Sequence, residues 1–446
     1  MMSLQQATDI LNGKLQGDNT EFSSVSTDTR SLQPGDLYIA LDGERFDGHN
    51  YIDQAEQAGA AAAIVHKNVQ TKLPTIKVED TRKALGDLAA AWREAFNGDV
   101  VAITGSNGKT TVKEMTAAIL TRHGEVLATK GNFNNDIGLP LTLLRMRQEE
   151  FAVIEMGANH PGEISYLTHI TKPDVAVITN AGPAHLEGFG SIQGVAKAKG
   201  EIYQGLSSQG VAVVNLDDDY SEYWLSLNSN RNVITFSMGK KIADICGTWK
   251  ATQEGGDLEV NIAGEELIIN LQLHGLHNAM NALTAIAIAE ALKLSRSKMV
   301  KALNEFSSVG GRLDFKQAGE SLRVIDDTYN ANPASLNAAI NVLCELEGQH
   351  WLVLGDMGEL GDEGQSLHFD AGVKARDTGV DKLLAVGDVS RHAVEAFGEG
   401  AVFFESKDKL VKFVKQHKSE MLNVLVKGSR FMHMEEIVDS LVKEAN

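Results

Sequence analysis

The chain is 446 residues long, 43% hydrophobic and 23% charged, with a formal net charge of −19. That length predicts two to four domains with ample core. The acidic balance argues against a general binder of nucleic acid or anionic membrane, which needs a basic face, so phosphate chemistry here must rest on Lys and Arg gathered locally.

No run approaches 18 apolar residues, so no membrane span is expected. The N-terminus, M-M-S-L-Q-Q-A-T, lacks the basic and apolar regions of a signal peptide. Cys246 and Cys344 form no metal-type spacing and read as inert thiols in a reducing compartment. The cytoplasm is the expected location.

Residues 1–81 read as a first α/β unit. Helical spacing covers 4–11 and 50–58, and strand-like runs cover 36–41, 61–65 and 75–78. Two polar loops, S-T-D-T-R-S-L-Q-P-G-D from Ser26 and D-G-E-R-F-D-G-H-N from Asp42, flank one strand and are rich in turn formers. They are either solvated loops or, through Arg30 and Arg45, the walls of an anion site. A helix over 81–96 leads into the second unit.

Residues 82–309 alternate strand and helix, which predicts a mainly parallel sheet with helices on both faces. The apolar run Val100–Thr104 ends in T-G-S-N-G-K-T-T, and a helical pattern starts at Thr110. Strand, glycine turn, Lys, Thr and helix make a phosphate cradle of backbone amides at a helix N-terminus. Lys109 supplies a point charge and Thr110 a hydroxyl for Mg²⁺. Ile103 stands where the full G-x-x-x-x-G-K-[ST] spacing has its first glycine.

Other strand ends in this unit carry polar groups. F-A-V-I-E-M-G-A puts Glu155 at a buried strand tip beside the phosphate loop, where a Mg²⁺ ligand belongs. V-A-V-I-T-N-A-G-P-A-H ends in Asn180 and His185. In A-K-A-K-G-E-I, Lys197 and Lys199 are two apart and cannot share a helix face, so either one points inward and one outward or both are solvated. From 243 to 273 the period becomes two, predicting antiparallel strands. Helix returns over 275–306, where Asn278 and Asn281 share a face and could read an adenine edge.

V-G-G-R-L-D places Arg312 in a hinge. Residues 310–446 then alternate strands (321–327, 350–355, 382–387, 401–405, 423–427) with helices, a second doubly wound pattern. Three of its strand tips, D-D-T-Y-N-A-N-P, L-G-D-M-G-E-L-G and V-K-G-S-R, are expected to face the phosphate loop across a cleft. No complete G-x-G-x-x-G supports a dinucleotide site.

In order along the chain, T-G-S-N-G-K-T-T, E-M-G-A, T-N-A-G-P-A-H-L-E-G-F-G, A-K-A-K-G-E-I, H-G-L-H-N-A-M-N and G-G-R-L resemble the Mur ligase family of ATP-dependent amide ligases. K-G-N-F-N-N-D-I-G-L-P-L-T-L-L, D-D-T-Y-N-A-N-P and L-G-D-M-G-E-L-G resemble those members that add D-alanyl-D-alanine to UDP-N-acetylmuramoyl-tripeptide. The resemblance implies an α/β fold of three domains. The first is a UDP-binding α/β domain (1–81). The second is a central P-loop mononucleotide-binding parallel sheet with an antiparallel appendage (82–309). The third is a C-terminal Rossmann-like doubly wound domain (310–446). It implies that Gly105, Ser106, Asn107, Gly108, Lys109, Thr110 and Thr111 hold the ATP phosphates. Thr110 and Glu155 would ligate one Mg²⁺, and His185 with a carbamylated Lys199 a second, these two and Lys109 being the catalytic groups. Asn281 would meet adenine, Arg312 the phosphates and Asp327 the ribose. Ser26, Thr27, Arg30 and Arg45 would lie in the uridine diphosphate loops, and Asn134 and Asn135 would face the peptidyl substrate. Asn330, Asn332, Asp356 and Arg430 are candidates for D-alanyl-D-alanine. A monomer is expected, with no nucleic-acid partner.

Two other readings share part of the pattern. A folylpolyglutamate synthase has the phosphate loop and the last two domains, but residues 1–80 argue against it. A nucleotide-driven switch would hydrolyse ATP without needing an amine or a carboxylate.

Overall fold

The computed structural model describes residues 1–43, 46–183, 186–239, 242–319, 321–417 and 421–443. Among the described residues, three larger sheets follow one another along the chain, beside two two-stranded ribbons. The first has five strands in the order Lys14–Gln16, Thr75–Lys77, Ala62–Val65, Leu37–Ile39, Val25–Ser26. Its strands are parallel except at the Lys14–Gln16 edge.

The second sheet has nine strands, in the order Val126–Ala128, Phe151–Glu155, Asp99–Thr104, Val175–Ile178, Val211–Asn215, Asn232–Met238, Ile245–Thr252, Gly255–Ile262, Glu265–Leu271. Pairing is parallel through Ile245–Thr252 and antiparallel for the last two. The period-two segment is thus bonded directly to the parallel strands and continues one sheet. Alternation along Asp99–Thr104 divides its side chains: Val100 and Ala102 enter one core, Val101 and Ile103 the other. The first of these cores is continuous with the N-terminal unit. Leu85, Leu88 and Ala89 of the helix Thr81–Glu94 share this core with Leu4, Ile39 and Ile64 of that unit and with Ala102 and Ile154 of the central sheet. That helix starts sharply because the Asp80 carboxylate accepts the amides of Arg82 and Lys83.

The third sheet runs Asp314–Ala318, Leu322–Asp327, Leu422–Lys427, Gln349–Gly355, Lys382–Val386, Ala401–Phe404. Only Asp314–Ala318 is antiparallel, an edge strand the sequence did not announce. The segment containing A-K-A-K-G-E-I is α-helical over Ile192–Gly200 and tightens to a 3₁₀ turn over Glu201–Gly205. A short helix at Ser221–Leu227 was also not foreseen. Among the described residues no helix is long and apolar enough to cross a membrane.

Candidate functional site

Three neighbouring parallel strands, Phe151–Glu155, Asp99–Thr104 and Val175–Ile178, end together and aim their tips at one cavity of about 1190 Å³. The glycine turn forms its floor. Gly108 is left-handed (φ 81°) and caps the helix Lys109–Leu120. A Cβ there would strike Asn281 Oδ1, so the turn requires glycine both for its backbone and for this approach. The turn is fastened from the next strand. Asn180 accepts the Asn107 amide at Oδ1 (3.0 Å), its carbonyl accepts the Ser106 amide (2.9 Å), and Thr179 Oγ1 donates to the Asn107 carbonyl (2.6 Å).

Lys109 Nζ donates to the carbonyls of Gly105 (2.7 Å) and Ser106 (3.3 Å), folded over its own loop. Burial holds its ammonium below the usual lysine range; the nearby Glu155 carboxylate opposes this and Arg312 reinforces it. Glu155 is 2% exposed. Its carboxylate accepts the Thr110 hydroxyl at 2.9 Å and Asn134 Nδ2 at 2.8 Å. Thr110 Oγ1 in turn accepts Arg312 Nη2 at 2.8 Å, a bond that joins the C-terminal unit to the nucleotide helix. The Arg312 guanidinium lies 4.1 Å from the Tyr329 ring centroid, and its buried Nε has no hydrogen-bond partner among the described residues.

Lys199 is 2% exposed, whereas Lys197 is exposed, the inward and outward pair that their spacing allows. Lys199 has no hydrogen bond or ion pair among the described residues. Burial first, and repulsion from Lys109 second, hold it well below the ordinary lysine value. Asn281 Nδ2 donates to Asn278 Oδ1 (3.3 Å), which places the two amides side by side on the cavity wall.

From the third unit, Asn332 caps the helix Pro333–Cys344 through Oδ1 and donates from Nδ2 to Asn107 Oδ1 at 2.8 Å. Asp327 accepts Lys427 Nζ at 2.5 Å, and Lys427 also donates to the Asn330 carbonyl at 3.0 Å. The half-buried His277 sits near this pair; burial pushes it down to about 4, with Asp327 opposing and Lys427 reinforcing the shift.

Family profiles match in series. Residues 21–93 match the Mur ligase family catalytic domain, 103–289 the Mur ligase middle domain, and 311–430 the Mur ligase glutamate ligase domain. A UDP-N-acetylmuramoyl-tripeptide–D-alanyl-D-alanine ligase of Escherichia coli is 44% identical over 444 residues, 99% of this chain and 98% of that protein. The chain belongs to the Mur ligase family. Solved Mur ligases share its fold throughout. MurF from Acinetobacter baumannii superposes with a TM-score of 0.93 at 37% identity, covering 98% of both chains. The MurF ligase of Thermotoga maritima, solved in complex with ADP, gives 0.85 at 27% identity, covering 95% of this chain and 97% of that one.

In this Mur ligase the cavity gathers most of the residues that the sequence singled out. Ser106 to Thr111, Asn134, Asn135, Glu155, Lys199, Asn281, Arg312, Asp327, Asn330 and Asn332 all line it. Gly105 lies beneath, its carbonyl taken by Lys109. Within the wall, Asn135 Oδ1 accepts the Gly138 amide (2.8 Å) and so helps start a helix.

Several named residues stand apart. Asp356 Oδ1 accepts the amides of Val389 and Ser390 (3.1 and 2.7 Å), so its carboxylate is spent on a turn of its own unit. Arg430 pairs with Glu435 at 3.0 Å and is exposed. Hence only part of the three expected strand tips faces the phosphate loop. Ser26 bonds to Asp28, and Arg30 is ion-paired to Asp28 with its side chain 88% exposed; with Thr27 they lie outside this cavity. Arg45 and His185 fall outside the described residues. Sequence reasoning gave no individual role to Thr129, or to Lys427 and Tyr329, although these two lie in strand tips expected at the cleft. For Lys427 a signal existed: a lysine ending the apolar strand run V-L-V.

Proposed function

We propose that this chain is an ATP-dependent ligase that joins D-alanyl-D-alanine to UDP-N-acetylmuramoyl-tripeptide, releasing ADP and phosphate. Its product would be the UDP-N-acetylmuramoyl-pentapeptide of peptidoglycan synthesis. The E. coli relative that carries this name matches over nearly its whole length, and the ADP complex of the T. maritima ligase supports a nucleotide at the glycine turn. One observation carries the reading most. Arg312 from the C-terminal unit, Thr110 from the nucleotide helix and Glu155 from the neighbouring strand form one hydrogen-bonded line across the cavity floor. That line is where a transferring phosphoryl group needs charge and hydroxyl donors.

The chemistry follows from the substrates. A carboxylate is a poor acylating agent, so its oxygen first attacks the γ-phosphorus of ATP and ADP departs. The amine of the dipeptide then attacks the acyl carbon of the resulting acyl phosphate. Phosphate leaves with one of the original carboxylate oxygens, and the amine gives up a proton. Lys109 and Arg312 bring positive charge to the phosphoryl group, and the loop amides orient it. Asn281 would contact adenine and Asp327 the ribose, with Lys427 holding Asp327 in place. Asn134 would face the peptide, and Asn330 and Asn332 the incoming dipeptide. The loops with Ser26, Thr27, Arg30 and Arg45 would hold the uridine diphosphate. In this reading 1–81 binds the UDP-sugar, 82–309 binds ATP and 310–446 completes the site, within a monomeric cytoplasmic enzyme.

The donor set also fits two magnesium ions. Thr110 and Glu155 offer hard oxygens for one; for the other, Lys199 as a carbamate would offer oxygens and His185 a ring nitrogen. An ammonium cannot ligate a cation, but a neutral lysine amine can add CO₂. Lys199, buried and without a partner among the described residues, has its ammonium disfavoured by burial, which favours that amine. Among the described residues no three His, Cys, Asp or Glu side chains gather into a cage, so an ion here would share its shell with phosphate oxygens and water. When bound, such ions supply charge neutralisation for phosphoryl transfer.

Purified protein given ATP and Mg²⁺ is expected to release phosphate only when tripeptide and D-alanyl-D-alanine are both present. Equal release with neither would leave a nucleotide switch in its place.

A further inference from the structure

Lys113 is 1% exposed, yet none of the steps above uses it. It lies one helical turn beyond Lys109, at i+4 on the same face of Lys109–Leu120. Its Nζ donates to the Thr129 carbonyl at 2.6 Å and pairs with Glu114 at 2.6 Å. Thr129 is itself 1% exposed, and all its polar groups are engaged. Its amide donates to the Val153 carbonyl (3.0 Å), and its hydroxyl accepts the Glu155 amide (3.0 Å). Two residues on, the chain enters the loop that delivers Asn134 to the Glu155 carboxylate.

We infer that Lys113 is a positioning residue that couples the nucleotide helix to the peptide-facing loop. The inference rests on the reading of the site given above. Through Thr129 it fixes two things together: the strand tip bearing Glu155 and the root of the loop bearing Asn134. An apolar residue of similar volume would fill the space but leave the buried Thr129 carbonyl without this donor, at some cost in stability. What a methionine could not supply is a directed bond from the helix to the Thr129 carbonyl. Lys109 serves the phosphates and Lys113 the loop, so one helix face registers both substrates against each other.

The test compares Lys113→Met, Lys113→Gln and Lys113→Arg. Lys113→Met is expected to raise KM for UDP-N-acetylmuramoyl-tripeptide at least tenfold while KM for ATP moves less than threefold. Lys113→Arg should recover most of the loss. Lys113→Gln retains a donor for the Thr129 carbonyl and should fall between, and it carries the test if the methionine variant does not fold. Hydrogen exchange at the Glu155 amide should quicken in Lys113→Met and in Lys113→Gln, and not in Lys113→Arg. Unchanged exchange, or both KM values rising in proportion, overturns the coupling. Absence of turnover by the wild-type protein would instead strike the proposed function, and the exchange measurement still decides the role of Lys113.

Discussion

At the scale of single residues the account rests on lysines with different tasks. Lys109 is free to leave its own loop carbonyls for an anion, so Lys109→Ala should abolish ligation while circular dichroism and Tm stay near wild type. Lys199→Ala should also be inactive, because a methyl group cannot carry a carbamate. A short carboxylate such as acetate should restore part of the rate by filling the vacated space with oxygen donors; full activity without rescue would remove the carbamate. His277 gives a prediction about stability. Its folded value of about 4 lies below the roughly 6.5 of an unfolded histidine. The unfolded chain therefore takes up that proton first as pH falls. The stability that His277 contributes is complete above about pH 6.5 and lost as pH drops towards 4 and below. The loss should reach roughly 3 kcal/mol, and His277→Gln should flatten that part of a Tm-against-pH curve. A curve of unchanged shape would show that the shift is absent.

Among the elements, the glycine turn is the least tolerant of change. Gly108→Ala forces a side chain into a left-handed backbone, at a cost of about 1–2 kcal/mol. It also drives Asn281 away from its place on the cavity wall. Tm should fall and KM for ATP rise about tenfold; an unchanged KM would show that Asn281 does not serve the nucleotide. The turn was readable in the sequence because its signals are local: an apolar run, two glycines, then a helical period. The same holds for Glu155 at the end of F-A-V-I-E, and for the opposite fates of Lys197 and Lys199. What escaped is non-local. The Lys427 to Asp327 pair spans 100 residues, and the Lys113 bond ends on a backbone carbonyl, which no side-chain pattern reveals. Asp356 was misplaced for a related reason. A carboxylate at a strand tip looks the same in sequence whether it opens to a cavity or caps a neighbouring turn. The edge strand Asp314–Ala318 hid because its pairing depends on a partner strand that only the fold supplies.

For the whole molecule, the cores show how the three units are joined. The N-terminal unit shares a continuous core with the central sheet through the helix Thr81–Glu94. The C-terminal unit has its own two cores, one on each sheet face. Asn332 to Asn107 and Arg312 to Thr110 tie it to the nucleotide loop by polar bonds. Polar contacts of this kind can break and re-form, so the C-terminal unit is the one suited to open for substrate entry and close for chemistry. The central claim is that this convergence lets the substrate carboxylate take a phosphoryl group before the amine attacks. Tripeptide labelled with ¹⁸O in its reacting carboxylate tests that most directly. After one turnover with ATP and D-alanyl-D-alanine, the account predicts one ¹⁸O atom in the released phosphate. Phosphate free of label, with amide product formed, would contradict it.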